Sequence, residues 1–147
     1  MRYFLLFFFI SSALYAQNIK ILDGDTIHIA KVKYRFHGID APEISQICKE
    51  NNKNVKCGEL SKQKLIEKIS NKKVNCKKIA IDRYKRVVAE CYVDDESLSK
   101  YLVKNGYAFA YRRYSKKFIE DENFAKKNKL GLWSMDFQYP WDFRRKK

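Results

Sequence analysis

The chain of 147 residues is short enough for one domain, and its 46% hydrophobic and 15% aromatic content excludes intrinsic disorder. It has 31 Lys and Arg against 17 Asp and Glu, a formal net charge of +14. This excess indicates an anionic partner: nucleic acid first, then an anionic membrane or a surface glycan.

The first 16 residues have the pattern of an export signal. Met1 and Arg2 form a short basic start, and the apolar run that follows ends in small residues. Because this run is too short for a comfortable membrane span, we predict a signal peptide over residues 1–16, cleaved near Ala16. Cleavage after Ala13 or Ser12, or an uncleaved anchor, is the alternative. The mature domain is then 17–147, exported and by default monomeric.

Three strands are predicted at the start of the mature chain, over residues 18–22, 26–30 and Val32–Ile39. The segment Asp23–Asp25 separates the first two, because Asp and Gly are typical turn residues. The dipeptide Ala41–Pro42 ends the third strand, since proline cannot donate a hydrogen bond to a sheet ladder.

The rest of the chain alternates loops, helical patterns and apolar strands. Residues 44–57 are polar and bounded by two cysteines, which indicates a closed loop. The remaining predicted elements are a helix Glu59–Ser70 with Leu65, Ile66 and Ile69 on its buried side, strands Val74–Ala80 and Val87–Val93, a helix Ser97–Asn105, an extended run 107–111, a helix from Ser115 to about Lys129, and an aromatic tail that packs back onto the domain.

Four cysteines in a small exported chain predict disulfides, and no CxxC pair favours a zinc site. If the last two predicted strands form a hairpin centred in IDRYKR, Cys76 lies directly opposite Cys91. Opposed residues of antiparallel strands lie roughly 4.5–5.5 Å apart between Cα atoms, which suits a disulfide. Of the three possible connectivities we therefore predict Cys76 with Cys91 and Cys48 with Cys57.

Four carboxylates stand at the ends of the first strands, those of Asp23, Asp25, Asp40 and Glu43, with Arg35 among them. Strand ends display reactive groups on a rigid scaffold. Acids gathered there in a basic chain predict a divalent cation beside an anionic substrate. Taken singly, each acid is also typical of a turn or of an exposed loop, and the arginine of a simple ion pair.

The predicted element order is five short strands, with a helix after the third and two helices after the fifth. This order suits a mainly β, α+β fold, an OB-type five-stranded Greek-key barrel with about three helices. Four motifs occur in series at the spacings of one family: DGDT at 23–26, YRFHGIDAPE at 34–43, DRYKR at 82–86, and AYRRYS at 110–115 followed by GLW at 131–133.

These motifs resemble the staphylococcal nuclease-like, or thermonuclease, family over nearly the whole mature chain. The four cysteines and the Pro140–Trp141 pair resemble its exported bacterial branch. The resemblance implies a periplasmic or extracellular nuclease that cuts DNA and RNA with little sequence preference and leaves 3′-phosphate ends. One Ca²⁺ ion is implied, with Asp25, Asp40 and the carbonyl of Ala41 as ligands.

The resemblance also implies the catalytic groups. Arg35 and Arg86 hold the scissile phosphate, and Glu43 orients or deprotonates the attacking water. Lys85 departs from the family, which commonly has Gly before this second arginine, and a loop tip is expected to tolerate the change. Predicted nucleic-acid contacts follow: Arg83, Tyr84, Tyr111 and Tyr114 at the site, with Arg112, Arg113 and Arg144 to Lys147 adding attraction to the phosphate backbone.

Three alternatives remain open at this point. The first is a nucleic-acid-binding module of the same fold that has lost catalysis, for example one that serves DNA uptake. The second is a metal-free ribonuclease that uses His28 and His37, although both lie in strand patterns typical of structural histidines. The third is a cationic protein that binds surface glycans. No obligate protein partner is implied.

Overall fold

A computed structural model describes residues 17–146, so the predicted signal peptide over 1–16 lies outside the described residues. The alternating apolar pattern produces the strands β1 (Ile19–Ile21), β2 (Thr26–Ile29), β3 (Val32–Phe36), β4 (Ile39–Asp40), β5 (Ile47–Glu50), β6 (Lys53–Lys56), β7 (Asn75–Ile81), β8 (Val87–Val93), β9 (Glu96–Ser97) and β10 (Phe109–Ala110). The helices are α1 (Cys57–Ile69), α2 (Leu98–Lys104), α3 (Ile119–Lys127) and α4 (Pro140–Arg145), and a 3₁₀ turn spans Gly131–Ser134.

The main sheet has the order β1-β2-β3-β8-β7, with β9 beside β8. Strands β1, β2 and β3 form an antiparallel meander, β3 pairs with β8 in parallel, and β7 and β8 form an antiparallel hairpin. This mainly β, α+β arrangement is consistent with the predicted OB-like fold. Among residues 17–146, β1 and β7 share no ladder, but the side-chain amide of Gln17 bonds both backbone groups of Val74, at 2.8 and 3.0 Å.

One core lies between the sheet and the first two helices. Fully buried apolar side chains from both layers fill it, among them Ile27, Phe36, Leu65, Leu98 and Leu102. The prediction that Ile66 also faces the core is wrong, because its side chain lies on the outer face of α1 and is 38% exposed.

A second cluster, called here the tail cluster, joins the C-terminal aromatic residues to the Cys48–Cys57 region. Phe109 and Leu132 are fully buried within it. The tail residues packed around them are Trp133, Met135, Phe137, Tyr139 and Trp141. The predicted return of the aromatic tail onto the domain is therefore confirmed.

The predicted loop over 44–57 is a hairpin of β5 and β6. Its turn residues Asn51 and Asn52 both have positive φ, 49° and 63°, a conformation that asparagine tolerates and that tight hairpin turns require. This asparagine pair is the sequence signal that the prediction overlooked.

The helices also differ from the predicted set in number and bounds. Residues 17–146 form four helices rather than about three, because Pro140 starts a short helix at its first position, where the missing N–H of proline costs nothing. Helix α3 begins at Ile119 rather than at Ser115. The acidic residues Glu120–Glu122 then lie in its first turn, where they complement the helix dipole. No helix within residues 17–146 is long and apolar enough to cross a membrane.

The predicted disulfide pairing is confirmed: Cys48 is bonded to Cys57 and Cys76 to Cys91. The register of the β7–β8 hairpin sets Cys76 directly opposite Cys91, as predicted for a hairpin centred in IDRYKR. The first bridge links β5 to the start of α1, and the second links the two strands of the hairpin.

Replacing Cys76 and Cys91 together by alanine should lower the free energy of unfolding by about 3 kcal/mol, because the bridge closes a loop of 15 residues in the unfolded chain. Chemical denaturation under oxidising conditions measures the change. The pair Cys48 and Cys57 closes a loop of 9 residues, so its removal should cost somewhat less. Equal unfolding midpoints for the wild type and the first variant would contradict the prediction.

Candidate active site

One cavity of about 780 Å³ opens where the ends of β3 and β4, the tip of the β7–β8 hairpin and the C-terminal helix meet. Acidic, guanidinium and tyrosine side chains line it. All of the site residues predicted from the sequence are among its lining residues: Asp25, Arg35, Asp40, Ala41, Glu43, Arg83, Tyr84, Arg86, Tyr111 and Tyr114.

A buried ion-pair cluster forms the floor of this cavity. The register of β2 and β3 sets Arg35 opposite Thr26, next to Asp25, and the chain then turns so that Asp40 returns to the same place. The guanidinium of Arg35 forms ion pairs with both carboxylates, at 2.9 Å between Nη2 and Oδ1 of Asp40. Both carboxylates are buried, and Asp40 is only 1% exposed.

The turn before β2 fixes Asp25 within this cluster. The N–H of Asp25 donates to Oδ1 of Asp23 at 3.0 Å, and Oδ2 of Asp25 accepts from the N–H of Ala41 at 2.6 Å. A Cβ at Gly24 would lie 2.7 Å from that of Ala41, so no larger residue fits between the two segments without a shift. The DGD motif therefore has a packing reason as well as a turn reason.

Burial, together with the crowding of carboxylates, shifts the pKa values of the floor. Burial, with the nearby charge of Asp25 second, raises the pKa of Asp23 to about 7. Burial also raises the pKa of Asp40, although hydrogen bonds and charge from arginines oppose it. Burial acts to lower the pKa of Arg35, but the surrounding carboxylates raise it overall. The cluster thus favours added positive charge.

Arg86 is held at the tip of the β7–β8 hairpin by Asp82. The carboxylate of Asp82 accepts hydrogen bonds from Nε of Arg86 at 2.7 Å and from the backbone N–H of Arg86 and of Tyr84 at 3.0 and 2.9 Å. Burial acts to raise the pKa of Asp82, but these hydrogen bonds lower it overall. Lys85, which lies between Tyr84 and Arg86, has a φ of +62°, the left-handed conformation that glycine adopts readily.

Glu43 contacts Arg144, for which the sequence predicted only an attraction to the phosphate backbone of a nucleic acid. Nη1 of Arg144 donates to Oε1 of Glu43 at 2.7 Å, and Nη2 donates to Oδ2 of Asp40 at 2.6 Å. The signal that could have revealed Arg144 is its place three residues after Trp141, since residues three apart share one helix face.

The predicted tyrosine contacts divide into two kinds. Tyr84 and Tyr114 are 64% and 65% exposed, so their rings are open to a nucleobase. The guanidinium of Arg83 lies 4.9 Å from the ring of Tyr84. Tyr111 instead stacks on Trp141 at 5.5 Å between centroids, which favours a packing role for its ring.

The two histidines are not brought together. His37 lines the cavity, whereas His28 is not among the lining residues. His28 lies in β2 between Lys20 and Lys33 of the neighbouring strands, and its Nε2 is buried without a hydrogen-bond partner within residues 17–146. This separation disfavours a histidine pair that cleaves RNA without a metal.

The oxygen groups of the floor are the candidate metal ligands of this cavity. No group of three or more His, Cys, Asp or Glu side chains in the described part of the chain is arranged to hold an ion. Asp25 and Asp40, however, are two buried carboxylates bridged by one guanidinium at the floor of the cavity. This oxygen donor set fits a hard cation that keeps several waters.

A small mainly β domain with paired carboxylates and arginines at its strand ends has the architecture that the four sequence motifs predicted. A model of the family described as staphylococcal nuclease homologue matches residues 33–135, more than half of the chain. The chain belongs to the staphylococcal nuclease family.

Curated relatives agree with this membership. An uncharacterized endonuclease of Haemophilus influenzae is 32% identical over 123 residues, 79% of this chain and 64% of the relative. The probable staphylococcal-like nuclease CAN3 of Oryza sativa is 31% identical over 82% of this chain and 30% of the relative. The probable endonuclease LCL3 of Komagataella phaffii is 31% identical over 78% of this chain and 52% of the relative. The chain thus spans less than two thirds of the length of these relatives.

The left-handed backbone of Lys85 generates a test of the hairpin tip. The free energy of unfolding of Lys85→Gly should equal that of the wild type or lie slightly above it. That of Lys85→Val should lie about 1 kcal/mol below the wild-type value, because a β-branched residue is strained at this φ. Chemical denaturation measures both. At Lys33, an exposed position in β3, the valine variant should instead be more stable than the glycine variant. The same order at both positions would contradict this account.

Proposed function

We propose that the chain is a calcium-dependent phosphodiesterase that hydrolyses DNA and RNA with low sequence specificity to products with 3′-phosphate ends. One observation carries the proposal: a single cavity contains both the paired buried carboxylates and several arginines, in a chain of formal charge +14. The family membership and the relatives named nuclease or endonuclease support it.

The metal site in this proposal uses the floor of the cavity. Asp25 and Asp40, with the carbonyl of Ala41, would hold one Ca²⁺ ion. When bound, the ion supplies positive charge that stabilises the charge developing on the phosphate oxygens.

The protein groups carry the rest of the reaction. Arg35 and Arg86 bind the scissile phosphate, where guanidinium groups match its oxygens and its growing charge. Glu43 orients the attacking water and accepts its proton. The water oxygen bonds to phosphorus, the bond from phosphorus to the 5′ oxygen breaks, and the leaving oxygen takes up a proton. The products are a 3′-phosphate and a 5′-hydroxyl.

The rim of the cavity suits a single strand without sequence reading. Tyr84 and Tyr114 offer exposed rings for stacking, and Arg83 and Arg113 lie beside them for phosphates. Stacking and phosphate contacts are available to both DNA and RNA, which supports action on both.

We also propose that the protein is exported, to the periplasm or outside a bacterial cell, and acts as a monomer. Two disulfides within the domain support an oxidising compartment. The leading segment of the sequence, with its basic start and short apolar run, supports a signal peptide cleaved near Ala16.

The first test is cleavage of single-stranded DNA and RNA by residues 17–147 with Ca²⁺, with Mg²⁺ and with chelator. Cleavage should require Ca²⁺ and leave 3′-phosphate ends, and Glu43→Gln and Arg86→Ala should each lower kcat by about 100-fold or more. Glu59→Gln, an exposed acid outside the cavity, is the matched control. Binding without cleavage in every metal would favour the binding module, and cleavage in chelator the metal-free ribonuclease.

The second test is binding of a single-stranded oligonucleotide in the presence of chelator. Fluorescence anisotropy measures the affinity over a range of salt concentrations. Tyr114→Ala should weaken binding by about tenfold through lost stacking. Arg113→Ala should lower the slope of log affinity against log salt by about 0.7, the value for one phosphate contact of a single strand. Lys33→Ala, outside the cavity, should change neither, and an equal loss in all three variants would argue against this binding surface.

A further inference from the structure

Arg144 reaches the acidic floor from the far end of the chain. Its guanidinium contacts both oxygens of Asp40, at 3.2 Å for Oδ1 and 2.6 Å for Oδ2, and Oε1 of Glu43 at 2.7 Å. One planar side chain therefore bridges a proposed metal ligand and the proposed water-orienting group, 104 and 101 positions away in sequence.

The carboxylate of Glu43 depends on this contact for its position. Nη1 of Arg144 donates to its Oε1 at 2.7 Å, and the Glu43 side chain is otherwise 38% exposed. An exposed carboxylate without a partner samples several rotamers, whereas a carboxylate bonded to a guanidinium is restricted to a few. Arg144 thus fixes the direction in which Glu43 faces the cavity.

The same guanidinium neutralises Asp40. This carboxylate is 1% exposed and already pairs with Arg35, so Arg144 is the second positive group on it. A cation that uses Asp40 as a ligand meets this charge at close range. The guanidinium therefore opposes binding of a metal ion at Asp40 through Coulomb repulsion and through competition for the oxygen lone pairs.

The position of Arg144 is built into the fold. The side chain of Gln46, which is fully buried, accepts from the N–H of Glu43 at 3.2 Å and donates to the carbonyl of Gln138 at 2.5 Å. It thereby ties the Glu43 loop to the residues just before α4. On α4 itself, Trp141 stacks on Tyr139 at 4.6 Å.

We propose that Arg144 is a positioning residue of this active site, which holds Glu43 in place and supplies the counter-charge that a metal ion displaces from Asp40. The proposal rests on the proposed function. It predicts that removal of the guanidinium slows turnover but tightens metal binding. A residue that only stabilised the fold would weaken both when removed.

The experiment compares Arg144→Ala, Arg144→Lys and Lys33→Ala with the wild type, over residues 17–147. Lys33 is the control, because it carries the same charge, is exposed in β3 and lies outside the cavity. Calcium affinity is measured by calorimetry without nucleic acid, and kcat and KM on a single-stranded oligonucleotide at saturating Ca²⁺. Thermal unfolding confirms that each variant is folded.

Arg144→Ala should bind Ca²⁺ about fivefold more tightly, as expected from the loss of one nearby charge, and should turn over about 10- to 100-fold more slowly. Arg144→Lys keeps the charge but not the planar fork, so its calcium affinity should stay near that of the wild type while kcat remains reduced. Lys33→Ala should match the wild type in calcium affinity and kcat.

Calcium affinity of Arg144→Ala equal to or weaker than that of the wild type would overturn the counter-charge role. A kcat of Arg144→Ala equal to that of Lys33→Ala would overturn the positioning role. If Arg144→Ala does not fold, the lysine variant decides: wild-type turnover in it overturns the proposal, and reduced turnover with unchanged calcium affinity supports it. A wild type that neither binds Ca²⁺ nor cleaves would overturn the proposed function as well, so the two failures are distinguishable.

Discussion

The ion pair of Arg35 with Asp25 and Asp40 is the interaction on which the site depends. Two carboxylates buried side by side repel each other and lose hydration, so the fold tolerates them only with a cation between them. Removing one partner from such a buried cluster typically costs about 3–5 kcal/mol. The guanidinium therefore offsets the repulsion between the two acids and holds them close together, which is the arrangement that the proposed calcium site requires.

The supporting structure around this cluster comes from the C-terminal part of the chain. The tail cluster packs on the Cys48–Cys57 bridge, and the backbone of Asp136 pairs with that of Lys49 in β5. Through Gln46 the same tail is bonded to the loop that carries Glu43. The last helix is thus part of the site and not an appendage, because it closes one wall of the cavity and brings a further charge to it.

The charge distribution fits the proposed substrate. The chain is strongly basic overall, yet its cavity floor is acidic. A basic surface attracts a polyanion at long range, while a local acidic floor would hold the metal ion of the proposed reaction. The exposed rings of Tyr84 and Tyr114 then add contacts that every base can make. In this proposal, the basic surface attracts the nucleic acid, and the acidic groups of the adjacent cavity floor hold the metal ion.

The sequence by itself determined those features that depend on neighbours along the chain. Alternation sets the strands, the hairpin register sets Cys76 opposite Cys91, and the motifs predict the residues of one cavity. Only the tertiary structure decided that Arg144 joins Asp40 and Glu43. A contact across about 100 residues leaves no local pattern, because it depends on how α4 packs and not on the residues beside it.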